Sequence, residues 1–166
     1  MRKPTDIPND DAHSGIFEDF IIVSVAITSS PEVLYQLVTD IEHLSDFFPN
    51  IEFKRASDGP LKVGSIYYTR QKGSKTWVPY RILVLEPNKR ISAELVGTDP
   101  LFAALRYDHR FFMDGDYTVS HEKVEYTFRY GIVGRIINRL IGKRLMKKQI
   151  VNAHLKLKEK AEKPSV

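Results

Sequence analysis

His13, His43, His109, His121 and His154, together with eight tyrosines, are the side chains here that could hold a metal ion or move a proton. The histidines form no i, i+4 pair of the kind a helix needs to offer two imidazoles to one ion. Nor do they form an alternating pair on a strand, so no metal site is expected. The chain has no cysteine, which removes a thiolate nucleophile, a disulfide and a Cys-ligated zinc. No P-loop or dinucleotide fingerprint is present, and no cofactor is expected. The run Gly131–Gly134, "GIVG", has the GxxG form but opens a helix without the rest of an RNA-binding KH domain. Asp108 and His109 are adjacent, yet neighbours on a strand face opposite ways and do not make a dyad.

The richer pattern is a face. Tyr107, His109 and Phe111 alternate along one apparent strand, and Tyr126, Phe128 and Tyr130 along the next. The opposite faces carry Arg106, Asp108 and Arg110, and Lys123, Glu125, Thr127 and Arg129, which reads as a solvated side. Turned inward, the first set brings three phenols and an imidazole into the interior. Three readings stay open. These are amphipathic core residues with satisfied polar tips, or they line a pocket that orients a mostly apolar ligand. In the third, His109 and Tyr126 form a base and donor pair for cyclisation or dehydration. Tyr68, Tyr80 and Trp77 are further lining candidates whose facing is ambiguous, and Arg81 with Glu94 reads as a surface cross-strand pair.

The elements that must position these residues follow from periodicity. "FIIVSVAIT" puts Ile21, Val23, Val25 and Ile27 on one face, a strand. "SSPEVLYQLVTD" is a helix start with proline in the first turn and an apolar stripe of Val33, Leu34, Leu37 and Val38. "IEHLSDFFPN" reads as a second short helix. Six strands separated by turns come next, the last two joined at Asp114–Gly115. In the final strand Tyr117 and Val119 are odd-numbered while Val124, Tyr126, Phe128 and Tyr130 are even, which predicts a bulge within Ser120–Lys123. Short turns imply antiparallel pairing, and a sheet with one long helix must bury that helix on its concave face. The expected fold is α+β: a curved seven-stranded antiparallel sheet wrapped around a long C-terminal helix, with two short helices after strand 1.

That last helix begins "GRIINRLIGKRLMKKQIV". At 100° per residue, Val133, Ile136, Ile137, Leu140 and Ile141 share one arc, with Arg135, Arg139 and Lys143 along its edge. The later apolar set, Met146, Ile150, Ala153, Leu157 and Ala161, faces about 150° away. One straight helix cannot bury both, so a kink or break is predicted at Gly142. The first part is expected as a lid across the open end of the sheet, adding Ile137 and Ile141 to a ligand-binding lining. Arg135, Arg139, Lys143 and Lys147 then form a basic surface patch. It reads as a solvated helix face, or as a site of transient contact with an anionic membrane surface; nucleic acid is the less favoured partner.

With 166 residues, 42% hydrophobic and 28% charged, the chain suits one soluble globular domain. That domain is expected over 16–162, after a disordered polar tail at 1–15 and before a flexible end at 163–166. From Arg135 onward ten Lys and Arg face two acids, while the remainder is acidic, so the excess positive charge is local. The longest apolar stretch, "FIIVSVAI", is too short to span a bilayer, and the start lacks a signal-peptide apolar core. A cytoplasmic location is expected.

The stretch "VSVAITSSPEVLYQLVTDIEHLSDFFPNI" (23–51) resembles the opening of the START-like, helix-grip superfamily (also SRPBCC), in its polyketide cyclase and lipid-binding branch. "KVGS" (62–65) is similar to that branch's Val-Gly step before the third strand. "YGIVGRIINRL" with "LKLKEKAE" resembles its last helix. The likeness spans about residues 20–162. It implies an internal cavity for lipids, polyketides, isoprenoids, sterols or aromatic compounds, with no shared catalytic signature to carry over. The function expected is therefore binding or carrying of a hydrophobic small molecule between sheet and helix. The alternatives are a cyclase or dehydratase using His109 and pocket tyrosines, and a peripheral membrane or RNA adaptor using the basic helix. The sequence does not fix the oligomeric state.

Overall fold

The computed structural model describes residues 17–163. The expected polar tail, His13 and the end beyond Lys163 lie outside the described residues. Strand β1 (Asp19–Ile27) is followed by α1 (Pro31–Thr39) and a 3-10 helix (Ile41–Asp46). Then come β2 (Ile51–Arg55), β3 (Ile66–Gln71), β4 (Val78–Glu86), β5 (Arg90–Leu95), β6 (Phe102–Asp114) and β7 (Tyr117–Phe128). The strands form one antiparallel sheet in the order β1-β7-β6-β5-β4-β3-β2. The last described elements form one continuous helical run: α2 (Gly131–Ile137), a π-helical turn (Asn138–Gly142) and α3 (Lys143–Glu162).

Local chemistry accounts for these elements. Ser30 caps α1 by accepting from the Val33 N–H at 3.4 Å, and Pro31 supplies the first-turn φ without needing a donor. Leu34 and Val38 then bury one side of α1, as Ile41, Leu44 and Phe47 do in and after the 3-10 helix. Gly115, at φ +62°, takes the left-handed position in the two-residue loop between β6 and β7. No helix among the described residues is long and apolar enough to cross a membrane.

Three expectations need correction. No bulge occurs within Ser120–Lys123: β6 and β7 pair without interruption from Ala104↔Thr127 to Asp114↔Tyr117, and the irregularity lies between Phe102 and Ala104. The even-numbered positions of β7 face inward throughout, and Tyr117 is exposed. The inward face at the start of β7 holds Thr118, Ser120 and Glu122, whose polarity hides them from a hydrophobic count. Thr118 Oγ1 donates to the Ser29 carbonyl at 2.6 Å and Ser120 Oγ bonds His109 at 2.7 Å, which satisfies them inside.

The outer face is also less solvated than alternation predicts. Asp108 and Glu125 are buried under long cationic side chains. Arg90 and Arg110 each donate to Asp108 at 2.6 Å, and Arg106 and Lys123 hold Glu125 at 2.6 and 2.9 Å.

Finally, the helix does not break at Gly142, and its first part is not a lid. The π turn adds one residue to the helical circuit, which rotates everything after it by about 100°. Below it α3 buries Ile150, Ala153, His154 and Leu157 against the sheet. Above it the face that packs is Gly134, Asn138 and Gly142, at spacing four. A Cβ at Gly134 would overlap the Arg129 carbonyl oxygen, and one at Gly142 would stand 3.1 Å from the Phe128 ring. Asn138 donates to Asp19 at 3.0 Å and accepts from the Tyr126 hydroxyl at 3.1 Å. Close approach needs the small residues, so the aliphatic arc is left facing solvent.

Candidate functional site

A cavity of about 390 Å³ opens between the concave face of the sheet and α3. Most of its wall is apolar, including Val38, Leu44, Phe47, Phe53, Val78, Ile91, Leu105, Val124, Ile150 and Leu157. Its polar residues include Tyr67, Tyr80, Tyr107, His109, Glu122 and His154, with Arg70, Asp99 and Gln149 also on the wall. Register explains their convergence. Tyr67 faces Tyr80 across β3 and β4, with rings stacked 5.6 Å apart. His109 lies directly opposite Glu122 across β6 and β7. His154, one turn beyond Ile150, descends onto them from α3, its ring centroid 5.1 Å from that of His109.

One donor atom each from His109, Glu122 and His154 lies within 4.8 Å of the other two. His154 Nδ1 is 3.0 Å from the Ile150 carbonyl, so that nitrogen carries the proton. It also stands 3.6 Å from Glu122 Oε2. The other nitrogen, Nε2, is therefore an acceptor; it is buried and has no hydrogen-bond partner among the described residues. His109 Nε2 is tied to Ser120 Oγ, and the Tyr67 hydroxyl donates to that of Tyr107 at 3.2 Å.

Burial dominates the electrostatics. It pushes the Glu122 carboxyl up to about 7, so the acid form is well populated near neutrality. It raises the Tyr67, Tyr80 and Tyr107 phenols above their usual range and lowers His154. His109 falls well below the ordinary imidazole value, first by burial and then by the neighbouring imidazoles of His154 and His121. The result is a cluster of polar groups pushed toward their neutral forms in a mostly apolar wall, with one acceptor unpartnered among the described residues. Two imidazoles and a carboxylate are also a donor set that a divalent transition ion accepts. Residue spacing had suggested no such grouping, since its members come from β6, β7 and α3.

No known family model matches the sequence, and no curated protein matches it either. Solved structures do. The Zhui aromatase/cyclase of Streptomyces sp. R1128 superposes with a TM-score of 0.70 at 15% identity, over 87% of this chain and 93% of that one. A START superfamily protein of Mycobacterium smegmatis gives 0.67 at 16%, over 86% and 97%. The di-domain aromatase/cyclase StfQ of the steffimycin biosynthetic pathway gives 0.70 at 10%, over 86% of this chain and 50% of that one. The chain has the START-like, helix-grip fold.

Within that helix-grip frame the residues singled out from the sequence separate into groups. Tyr80, Tyr107 and His109 line the cavity. Phe111 lies behind His109 in the core, ring centroids 4.5 Å apart. Tyr126 and Phe128 face a separate hollow with Asp19, Arg135, Asn138, Arg139 and Lys143, and burial lifts the Tyr126 phenol to about 12. Tyr126 is not among the residues that line the sheet–helix cavity, and its hydroxyl donates to Asn138. Tyr68 lies half-buried beneath Lys54 while its neighbour Tyr67 takes the buried position in β3, and Trp77 lies half-buried beneath Lys54 and Arg70; neither Tyr68 nor Trp77 lines the cavity. Tyr130, Ile137 and Ile141 are exposed, since α2 packs by its glycine face. Arg81 and Glu94 form a 2.6 Å cross-strand pair at the surface. In the basic row Arg135 approaches Glu18 at 3.6 Å and Lys143 holds Asp19 at 2.6 Å, while Arg139 and Lys147 are exposed.

Tyr67, Glu122 and His154 were missed. Extending the even parity of Val124 and Tyr126 back two residues finds Glu122. The spacing Ile150, His154, Leu157 places the imidazole in the buried stripe of α3.

Proposed function

We propose that this helix-grip domain binds and carries a hydrophobic small molecule that bears a hydroxyl or phenol at one end. The observation that carries this reading is the pairing of an apolar vault with a buried, unpartnered acceptor, His154 Nε2. An empty buried acceptor is unfavourable in an apolar wall, and a ligand O–H donating to it removes that cost. The neutral forms of Glu122, Tyr67 and Tyr107 suit an uncharged ligand rather than an anion. The fold neighbours described as a START protein and aromatase/cyclases agree with an apolar ligand.

The test compares 2-naphthol with naphthalene by fluorescence titration, alongside native mass spectrometry of the purified protein for a co-purifying ligand. Binding of 2-naphthol is expected to be at least about fivefold tighter, with the advantage lost in His154→Ala. No uptake of either probe, or an unchanged preference in His154→Ala, rejects the reading.

A second reading is an acid/base enzyme acting on a polyketide-like substrate. Glu122 favours it: a carboxyl held near 7, 3.6 Å from an imidazole, can exchange a proton at neutral pH. The candidate acid is then Glu122, with His109 or His154 beside it. Glu122→Gln abolishes turnover in that case while leaving 2-naphthol binding in place.

A further inference from the structure

The first twelve residues of the C-terminal helical run are inverted relative to an ordinary surface helix. Their small face, Gly134, Asn138 and Gly142, is pressed onto β7, and their aliphatic face looks out. Ile132, Ile136, Ile137, Leu140, Ile141 and Leu145 are each more than half exposed, Leu140 at 71%. Exposed aliphatics scattered singly need no explanation, but a continuous row along one helix does.

Charge selects what covers that row. Arg139, Arg144, Lys147 and Lys148 lie along the same helical stretch, are exposed, and form no ion pair with a carboxylate of the described residues. Glu159 and Glu162 are the first acids after Gly131, so no compensating negative charge lies on this part of the helix. A second copy of the chain would bring the same cations against these, which disfavours self-association through the face. Apolar residues flanked by unpaired cations match an anionic lipid surface, where the aliphatic groups enter the acyl boundary and the cations meet headgroups.

We propose that residues 132–148 dock this domain on anionic membranes, lying in the interface without crossing it. The placement has a consequence for the cavity. The same helix continues into Met146, Gln149, Ile150 and Ala153, which form part of the cavity wall, so docking sets that wall beside the lipid. The inference is independent of what the cavity holds.

The experiment is co-sedimentation of the purified chain with vesicles of phosphatidylcholine alone and of phosphatidylcholine with phosphatidylglycerol, at low and high salt. Binding is expected to the anionic vesicles, weakened by salt. It falls by at least about tenfold in Arg139→Glu/Lys147→Glu, and also in Ile136→Ser/Leu140→Ser. All four positions are exposed, and unchanged circular dichroism and melting temperature verify folding in each variant. Equal binding to both vesicle types, binding that survives both double variants, or no binding at all overturns the proposal. So does a dimer in solution that the Ile136→Ser/Leu140→Ser variant dissociates, since it assigns the face to a second copy.

Discussion

At Glu122 a carboxyl group is held inside an apolar wall, and its titration leaves a signature in stability. Burial holds the folded-state value at about 7, against an ordinary 4.5. Between those values the folded chain binds the proton more tightly than the unfolded one. The contribution of Glu122 to stability is therefore fully present below about pH 4.5 and is lost as pH rises through 7, by about 3 kcal/mol. His109 and His154 act in the opposite sense. Their lowered values make their contribution present above the ordinary imidazole range and lost on acidification. Glu122→Gln removes only the first effect. Urea unfolding is expected to find it more stable than the parent at pH 8, by about 2–3 kcal/mol, with the gap closing toward pH 5. An equal gap at both values removes the buried acid. None of the three side chains was legible as a set. Polar residues in a strand or helix announce exposure unless their neighbours in space are known, and here the three meet from β6, β7 and α3.

Among the elements, the strand boundaries and the two short helices follow from alternation and capping, and the register between β6 and β7 follows once the Asp114–Gly115 turn is placed. The C-terminal helix is different. Its two apolar stripes are visible in the sequence and so is the discontinuity between them, but an apolar arc does not say whether protein or solvent lies beyond it. The glycines decide this. Gly134→Ala sets a methyl group against the Arg129 backbone and is expected to cost about 2–4 kcal/mol, because a carbonyl cannot turn aside. Gly142→Ala meets the edge of the Phe128 ring at 3.1 Å, which a side chain can relieve, and is expected to change stability by less than about 1 kcal/mol. Thermal or urea unfolding of the two variants checks the contrast. Equal costs would mean that the helix seat is not set by backbone approach.

For the whole molecule, the decisive quantity is the space left between sheet and helix. Ala153 is buried on the inner face of α3 and borders the cavity. Ala153→Phe directs a ring into that space. The expected outcome is loss of 2-naphthol uptake with a stability change of less than about 2 kcal/mol, since the new side chain fills a void instead of a packed site. A large destabilisation without loss of uptake would place the ring elsewhere. Amino-acid order by itself determined the element sequence, the antiparallel sheet and the need for that sheet to bury one face of the last helix. Those are consequences of local periodicity and of the short loops joining neighbours. Only the tertiary structure decided which imidazoles and carboxyl meet, which of Tyr67 and Tyr68 turns inward, and which side of α2 stays bare. Those depend on strand register and on how closely two backbones can approach, and neither is a property of any single stretch of chain.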